Sequence, residues 1–302
     1  MTELAIQTQG LTKYYGSVRG VEDLDLEVLP GEVYGFLGPN GAGKTTTLRL
    51  LLDLLRPDRG SAAIFGRDVH RERAGIHREI GYLPGDLAMW PELTGRENLE
   101  YLVRLRGSVD RAYLDSLVDR FEVDLGKRFR TYSRGNKQKV GLVQAFMHRP
   151  RLLLLDEPTS GLDPLVQNTF YELLREVTGE GRSVFLSSHV LSEVERVCER
   201  AGIIREGRLV RSARVDELEM GSRHVVRLAF ADTVDAGEFR RLPGVTEVVE
   251  EGPELVFSVA GDLRPVLEAA QRHALVELES RRPSLEELFM SYYENGREPG
   301  DV

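Results

Sequence analysis

Cysteine is nearly missing from this 302-residue chain. Cys198 stands alone, so no disulfide can close within a monomer, and its setting in the helical-looking run LSEVERVCERAG points to packing rather than reactivity. Long apolar runs are missing too. The most apolar stretches, LRLLLDLL and RLLLLDEP, are broken by charge well short of the ~18 residues a membrane span needs, and the opening MTELAIQTQG has no signal-peptide pattern. A cytoplasmic protein is therefore expected. Repeats, low-complexity tracts, coiled-coil heptads and paired-cysteine motifs are also absent. Lysine is absent from residues 213–302, which hold 19 Asp and Glu against ten Arg, whereas residues 1–212 hold 30 acids and 30 bases. The whole net charge of −9 thus lies in the tail, which repels a phosphate backbone and argues against a nucleic-acid partner.

What is present is the composition of a folded chain, 41% hydrophobic and 29% charged, at a length that fits about two domains. Residues 1–212 alternate strand-like and helix-like segments, the pattern of a largely parallel sheet covered by helices. LAIQTQGLTKYYG reads as a strand and turn. LDLEVLPGEVYGFLG reads as an alternating strand, a Pro30–Gly31 turn and a buried strand. KTTTLRLLLDLL follows as a helix that stops before Pro57. A helical insert occupies about 86–148. In it Thr94 and Glu97 form a capping box, and Leu114, Leu117, Val118 and Phe121 follow helical spacing. After Pro150 short apolar strands return. Residues 213–302 read β-α-β-β-α-β, the order of small ferredoxin-like α+β domains. A last helix is expected from Ser284, boxed by Glu287, with Leu285, Leu288, Phe289 and Tyr292 on one face.

RFRTYSRGNKQK, residues 128–139, gathers Arg128, Arg130, Arg134, Lys137 and Lys139 without a carboxylate. Such a run suits either a nucleic-acid backbone or the phosphates of one nucleotide. A separate stretch, GPNGAGKT, fits G-x-x-x-x-G-K-[ST] between an apolar strand and a helix. Gly38, Pro39, Asn40, Gly41, Ala42 and Gly43 turn backbone N–H groups inward, and the helix N-terminus beginning with Lys44, Thr45 and Thr46 faces the anion. Lys44 would reach the β- and γ-phosphates of ATP, and Thr45 would offer its hydroxyl to Mg²⁺. LLLLDEP supplies the complement: Asp156 holds Mg²⁺ through water, and Glu157 polarises an attacking water.

GPNGAGKTT, YSRGNKQ, LLLLDEPTSGLDP and SSH, in this order and spacing, resemble the nucleotide-binding subunit of an ABC transporter over about residues 4–212. The tail resembles the accessory C-terminal domain of ATP-binding subunits that pair with separately encoded permeases, many of them drug or antibiotic exporters. The resemblance implies a P-loop ATPase that forms a homodimer around two ATP–Mg²⁺, sits at the inner face of the cell membrane and drives its permease. YSRGN stands where that family has L-S-G-G-Q, so Ser133 and Gly135 would cap the ATP of the other subunit. Tyr132, Arg134 and Asn136 depart from the pattern, and Arg134 is assigned no phosphate contact. By the same resemblance Tyr15 would stack on adenine, with Tyr14 beside it as the other choice. Asp163 would cross the dimer interface, and His189 would contact the γ-phosphate. Where the family has a glutamine after the proline of its Mg²⁺-contacting loop, this chain has Gly85 and then Asp86. Either Asp86 substitutes through water or the contact is absent. The neighbouring LAMWPEL, with Met89 and Trp90, is where a permease helix would dock, with core burial of Trp90 as the other choice. A soluble non-transport ATPase of this type, or an ATP-binding regulatory module without turnover, is the alternative.

Overall fold

The computed structural model describes residues 3–220 and 224–281. The chain divides into two compact units, Met1–Ala213 and Arg214–Val302. The first contains β1 (Ile6–Tyr15), β2 (Val18–Val28), β3 (Val33–Leu37), α1 (Lys44–Leu51), β4 (Arg59–Ile64), β5 (Arg67–Asp68), α2 (Arg73–Glu79) and β6 (Ile80–Leu83). It continues through α3 (Gly95–Arg106), α4 (Arg111–Arg120), α5 (Arg134–Phe146), β7 (Leu152–Asp156), α6 (Pro164–Gly179), β8 (Ser183–Ser188), α7 (Leu191–Val197), β9 (Arg200–Arg205) and β10 (Arg208–Arg214).

Six strands form one sheet in the order β10-β9-β3-β8-β7-β6, and the five from β9 to β6 pair in parallel. Every residue of β3, β7 and β8 is buried, as expected for strands covered on both faces. Their register sets Leu37 beside Ser188 and Asp156 beside Ser187, which brings three chain segments to one edge of the sheet. A second, antiparallel sheet has the order β2-β1-β4-β5. The sequence reading found β1 and β2 but not β4 and β5. The apolar core between the two sheets includes Ile6, Leu24, Phe36, Leu48, Ile64 and Phe185.

Helix α1 ends at Leu51, short of the span read from sequence, because Asp53 adopts φ 50° and turns the chain. In the insert, the Thr94–Glu97 capping box is formed: Glu97 N donates to Thr94 Oγ1 at 3.2 Å and Thr94 N to Glu97 Oε2 at 2.7 Å. Fully buried Asn98 accepts from Trp90 N at 3.0 Å and donates to Trp90 O at 3.1 Å, tying the loop after β6 to α3.

The second unit contains α8 (Val215–Met220), β11 (His224–Phe230), α9 (Ala236–Arg240), β12 (Val245–Glu251), β13 (Glu254–Val259), α10 (Arg264–Ala270) and β14 (Leu275–Arg281). Its strands pair antiparallel in the order β12-β13-β11-β14 over a separate core of Leu228, Phe239, Phe257 and Val266. The helix expected from Ser284 lies outside the described residues. Among the described residues, no helix is long and apolar enough to cross a membrane.

Candidate active site

The turn after β3 starts with Gly38, whose N–H donates to Ser188 O at 3.3 Å, and ends at Gly43, φ 111°, the residue before α1. A Cβ on Gly43 would lie 2.6 Å from Gly20 O, so both conformation and space demand glycine there. Lys44 is almost wholly buried; its Nζ donates to Gly38 O at 2.6 Å and Pro39 O at 3.1 Å and lies 3.3 Å from Glu157 Oε1. The first-turn amides of α1 and its positive dipole end lie at the same place. A cleft of about 280 Å³ runs over this loop, lined by Pro39, Asn40, Gly41, Lys44, Thr45 and Thr46 on one side. Tyr15 lines it from the other, its hydroxyl 3.4 Å from Thr46 Oγ1. Tyr14 instead donates its hydroxyl to Glu22 at 2.7 Å, so of the two aromatics only Tyr15 faces the cleft. Ala42 is buried beneath the loop.

Thr45 Oγ1 donates to Asp156 Oδ2 at 2.7 Å, and Ser187 Oγ donates to Asp156 Oδ1 at 2.6 Å. Both oxygens of this buried carboxylate are thereby fixed. Glu157, the next residue, has φ 51°, a conformation costly outside glycine and common at functional sites. Its N–H donates to Ser187 O at 3.2 Å and Ser187 Oγ at 3.1 Å, and Gln138 Nε2 donates to Glu157 O at 3.2 Å and Pro158 O at 2.9 Å. Its carboxylate lies between Lys44 and His189, whose Nδ1 is 2.6 Å from Oε2. Ser188 Oγ and Thr159 Oγ1 both donate to buried Glu193, bracing the strand end that carries His189. Ser187, Gln138 and Glu193 escaped the sequence reading. Only the quoted SSH and NKQ contained a signal, a polar residue on an otherwise apolar buried element.

Ser133 caps α5, its Oγ accepting from Asn136 N at 3.3 Å, and is exposed. A Cβ on Gly135 would meet Gly161 O at 2.7 Å, so α5 packs directly on the SGLD loop. Arg134 reaches the same loop, donating to Ser160 Oγ at 2.7 Å, and Asp163 caps α6 through Leu165 N and Val166 N, each at 3.1 Å. Neither Ser133 nor Gly135 lines the cleft of its own chain. The rest of the basic run is partly neutralised: Arg128 and Arg130 both pair with Glu92, at 3.3 and 3.2 Å. Gly85 sits against the carboxylate cluster; a Cβ there would be 3.2 Å from Asp156 Oδ2. Asp86 is exposed and makes no hydrogen bond or ion pair among the described residues.

The family described as ABC transporter matches residues 21–160, which contain the phosphate loop, the capping segment and the paired carboxylates. The daunorubicin/doxorubicin resistance ATP-binding protein DrrA of Streptomyces peucetius is 37% identical over 304 residues, 95% of this chain and 92% of its own. The chain belongs to the ABC transporter ATP-binding proteins. The bacitracin transport ATP-binding protein BcrA of Enterococcus faecalis is 36% identical over 233 residues, 76% of each chain. A solved ATP-binding subunit of an ABC transporter superimposes with a TM-score of 0.66 at 30% identity, covering 71% of this chain and 92% of that one. This ABC ATPase therefore binds and hydrolyses ATP to power transport, and its phosphate loop, paired carboxylates and helical insert all lie in the first unit.

Proposed function

We propose that this ABC ATPase forms a homodimer in which Ser133 and Gly135 of each copy close over ATP held on the phosphate loop of the other. One observation carries the reading: the cleft holds Lys44, Thr45 and Glu157 but lacks the capping helix α5, whose exposed N-terminus is free to serve a second copy. Thr45 and Asp156 present two hard oxygen donors 2.7 Å apart, a set suited to Mg²⁺. Thr45 and Asp156 would hold the ion, which would supply neutralisation of the negative charge on the nucleotide phosphates. Lys44 binds the same phosphates, Glu157 takes a proton from the attacking water, and His189 holds the Glu157 carboxylate in place and contacts the γ-phosphate. Tyr15 stacks on adenine, and Asp163 orients the loop that meets the second copy.

The partner is a separately encoded membrane permease, which places the protein at the inner face of the cell membrane, and the cargo is an exported drug, antibiotic or lipid-like compound. The relatives' names, one of daunorubicin/doxorubicin resistance and one of bacitracin transport, support that class. The permease docks on Trp90, whose ring meets Tyr101 edge-on at 4.5 Å; both rings stay over two-fifths exposed. The second unit acts as a ferredoxin-like accessory domain.

Glu157→Gln is expected to lower ATP turnover by roughly 10²- to 10⁴-fold, the range for loss of a general base, while ATP still binds. With ATP–Mg²⁺ this variant should elute as a dimer in size-exclusion chromatography, and adding Ser133→Arg should return it to monomer. Turnover at the wild-type rate, or a monomer under every nucleotide condition, overturns the proposal.

A further inference from the structure

A second cleft, of about 360 Å³, opens at the N-terminal end of β6, between α2 and the ends of α3 and α5. It is lined by His77, Arg78, Leu105, Arg106, Ser108 and His148. Two guanidiniums, two imidazoles and a hydroxyl meet there, and no carboxylate does. Several arginines of the first unit find acids: Arg67 and Arg151 both pair with Glu79, at 2.8 and 3.0 Å, and Arg120 pairs with Glu176. Here they do not. Arg106 reaches only the carbonyls of His77, at 3.4 Å, and Ile80, at 3.2 Å, and Arg78 has no hydrogen bond or ion pair among the described residues.

The wall behind these residues is also under-satisfied. His148 Nε2 donates to Ile80 O at 3.0 Å, leaving Nδ1 buried with no partner. Arg182, 8% exposed, holds Glu180 through Nη2 at 2.7 Å, but its Nε and Nη1 are buried without partners. Burial, then the nearby Arg106 and Arg182 charges, hold the His148 imidazole down at about 4. It is therefore neutral near pH 7, and Nδ1 presents a lone pair. Buried polar atoms left unpaired cost on the order of 1–3 kcal/mol each, and the Arg182 charge near His148 adds to the positive field of the adjoining cleft.

We propose that this cleft binds a phosphoryl oxyanion, free or carried on a lipid headgroup, through Arg78, Arg106 and Ser108. The oxyanion supplies the acceptors that the guanidiniums and the hydroxyl lack. His148 stands in the lining with its Nδ1 buried, so the anion meets a neutral ring there and its charge is balanced by Arg78 and Arg106, with Arg182 and the titratable His77 nearby. Because Arg106 closes α3 and His148 follows α5, a bound oxyanion would pin both helices of the insert to α2 of the core.

The test is calorimetric titration of sodium phosphate and sodium sulfate into the full chain saturated with a non-hydrolysable ATP analogue and Mg²⁺, so that the β- and γ-phosphate positions of the nucleotide site are filled. One saturable site is expected for each anion. Arg78→Gln, an exposed change that breaks no contact, should weaken both anions by about tenfold, as expected for losing one charge-assisted contact. Ser108→Ala, which removes one hydrogen-bond donor, should weaken both anions by a smaller, few-fold factor. Sedimentation with phosphatidylcholine vesicles containing phosphatidic acid distinguishes the sources. Arg78-dependent pelleting assigns a lipid headgroup, and phosphate binding without pelleting assigns the free anion. Absence of both binding and pelleting, or binding indifferent to Arg78→Gln and Ser108→Ala, overturns the proposal.

Discussion

Asp156 is held by Thr45 and Ser187 on its two oxygens, and Gly85, which brings no side chain at all, stands beside it, a Cβ there falling 3.2 Å from Oδ2. Asp86, the carboxylate that sequence reading offered as an additional Mg²⁺ ligand, is exposed and unpartnered. Asp86→Ala is therefore expected to leave steady-state phosphate release within about twofold of wild type, as for surface changes away from a site. A tenfold loss would restore Asp86 to the metal's surroundings. His148 permits a second expectation. Its folded value near 4 lies below the ordinary 6.5, so the folded state favours the neutral imidazole. The stability tied to that neutral form is fully present above pH 6.5 and is lost as pH falls from 6.5 toward 4. By pH 5 the loss should reach about 2 kcal/mol, measured by denaturant unfolding in chloride. His148→Gln should flatten that part of the profile, and an unchanged slope would refute the assignment. Lys44, Thr45, Asp156 and Glu157 were legible in sequence because fixed spacing ties each to a backbone turn. Ser187 and Gln138 were not, because their roles exist only where separate strands and α5 converge.

At the level of elements, helices with caps and apolar periodicity were readable, as the Thr94–Glu97 box and the stripe of α4 show. Strands β4 and β5 were not. The six residues RGSAAI have little alternation and few β-branched side chains, and β5 is two residues long, so they become strands only by pairing with β1 and each other. The contact of α5 with the SGLD loop was likewise invisible, since glycine in a helix reads as weakness rather than as close approach. That contact is testable. Gly135→Ala would force a methyl 2.7 Å from Gly161 O, a backbone atom that cannot rotate away. The change should displace α5 from the loop and reduce ATPase activity by at least about tenfold, comparable to a roughly 1.4 kcal/mol loss in transition-state stabilisation, with little change in ATP binding to the isolated chain. Wild-type activity in Gly135→Ala would show that the helix and loop need not touch.

At the scale of the whole chain, the charge asymmetry and the packing divide the molecule near the same residues. Residues 213–302 contain all of the excess negative charge, and the compact units part between Ala213 and Arg214. Each unit has its own apolar core: Phe36, Leu48 and Phe185 belong to the first, Leu228, Phe239 and Phe257 to the second. A segment with its own core can fold without its neighbour. The phosphate loop, the paired carboxylates, α5 and the SGLD loop all precede residue 213, so nothing that handles ATP in the proposed mechanism depends on the acidic part. A chain ending at residue 220, which keeps β10 whole, is expected to unfold in one cooperative transition and to bind ATP within about threefold of the full chain. That tolerance corresponds to less than roughly 0.7 kcal/mol. Titration with a fluorescent nucleotide and thermal unfolding would measure both. Loss of ATP binding with folding intact would mean that the second unit reaches the nucleotide site, and loss of cooperative unfolding would mean that the two cores stabilise one another.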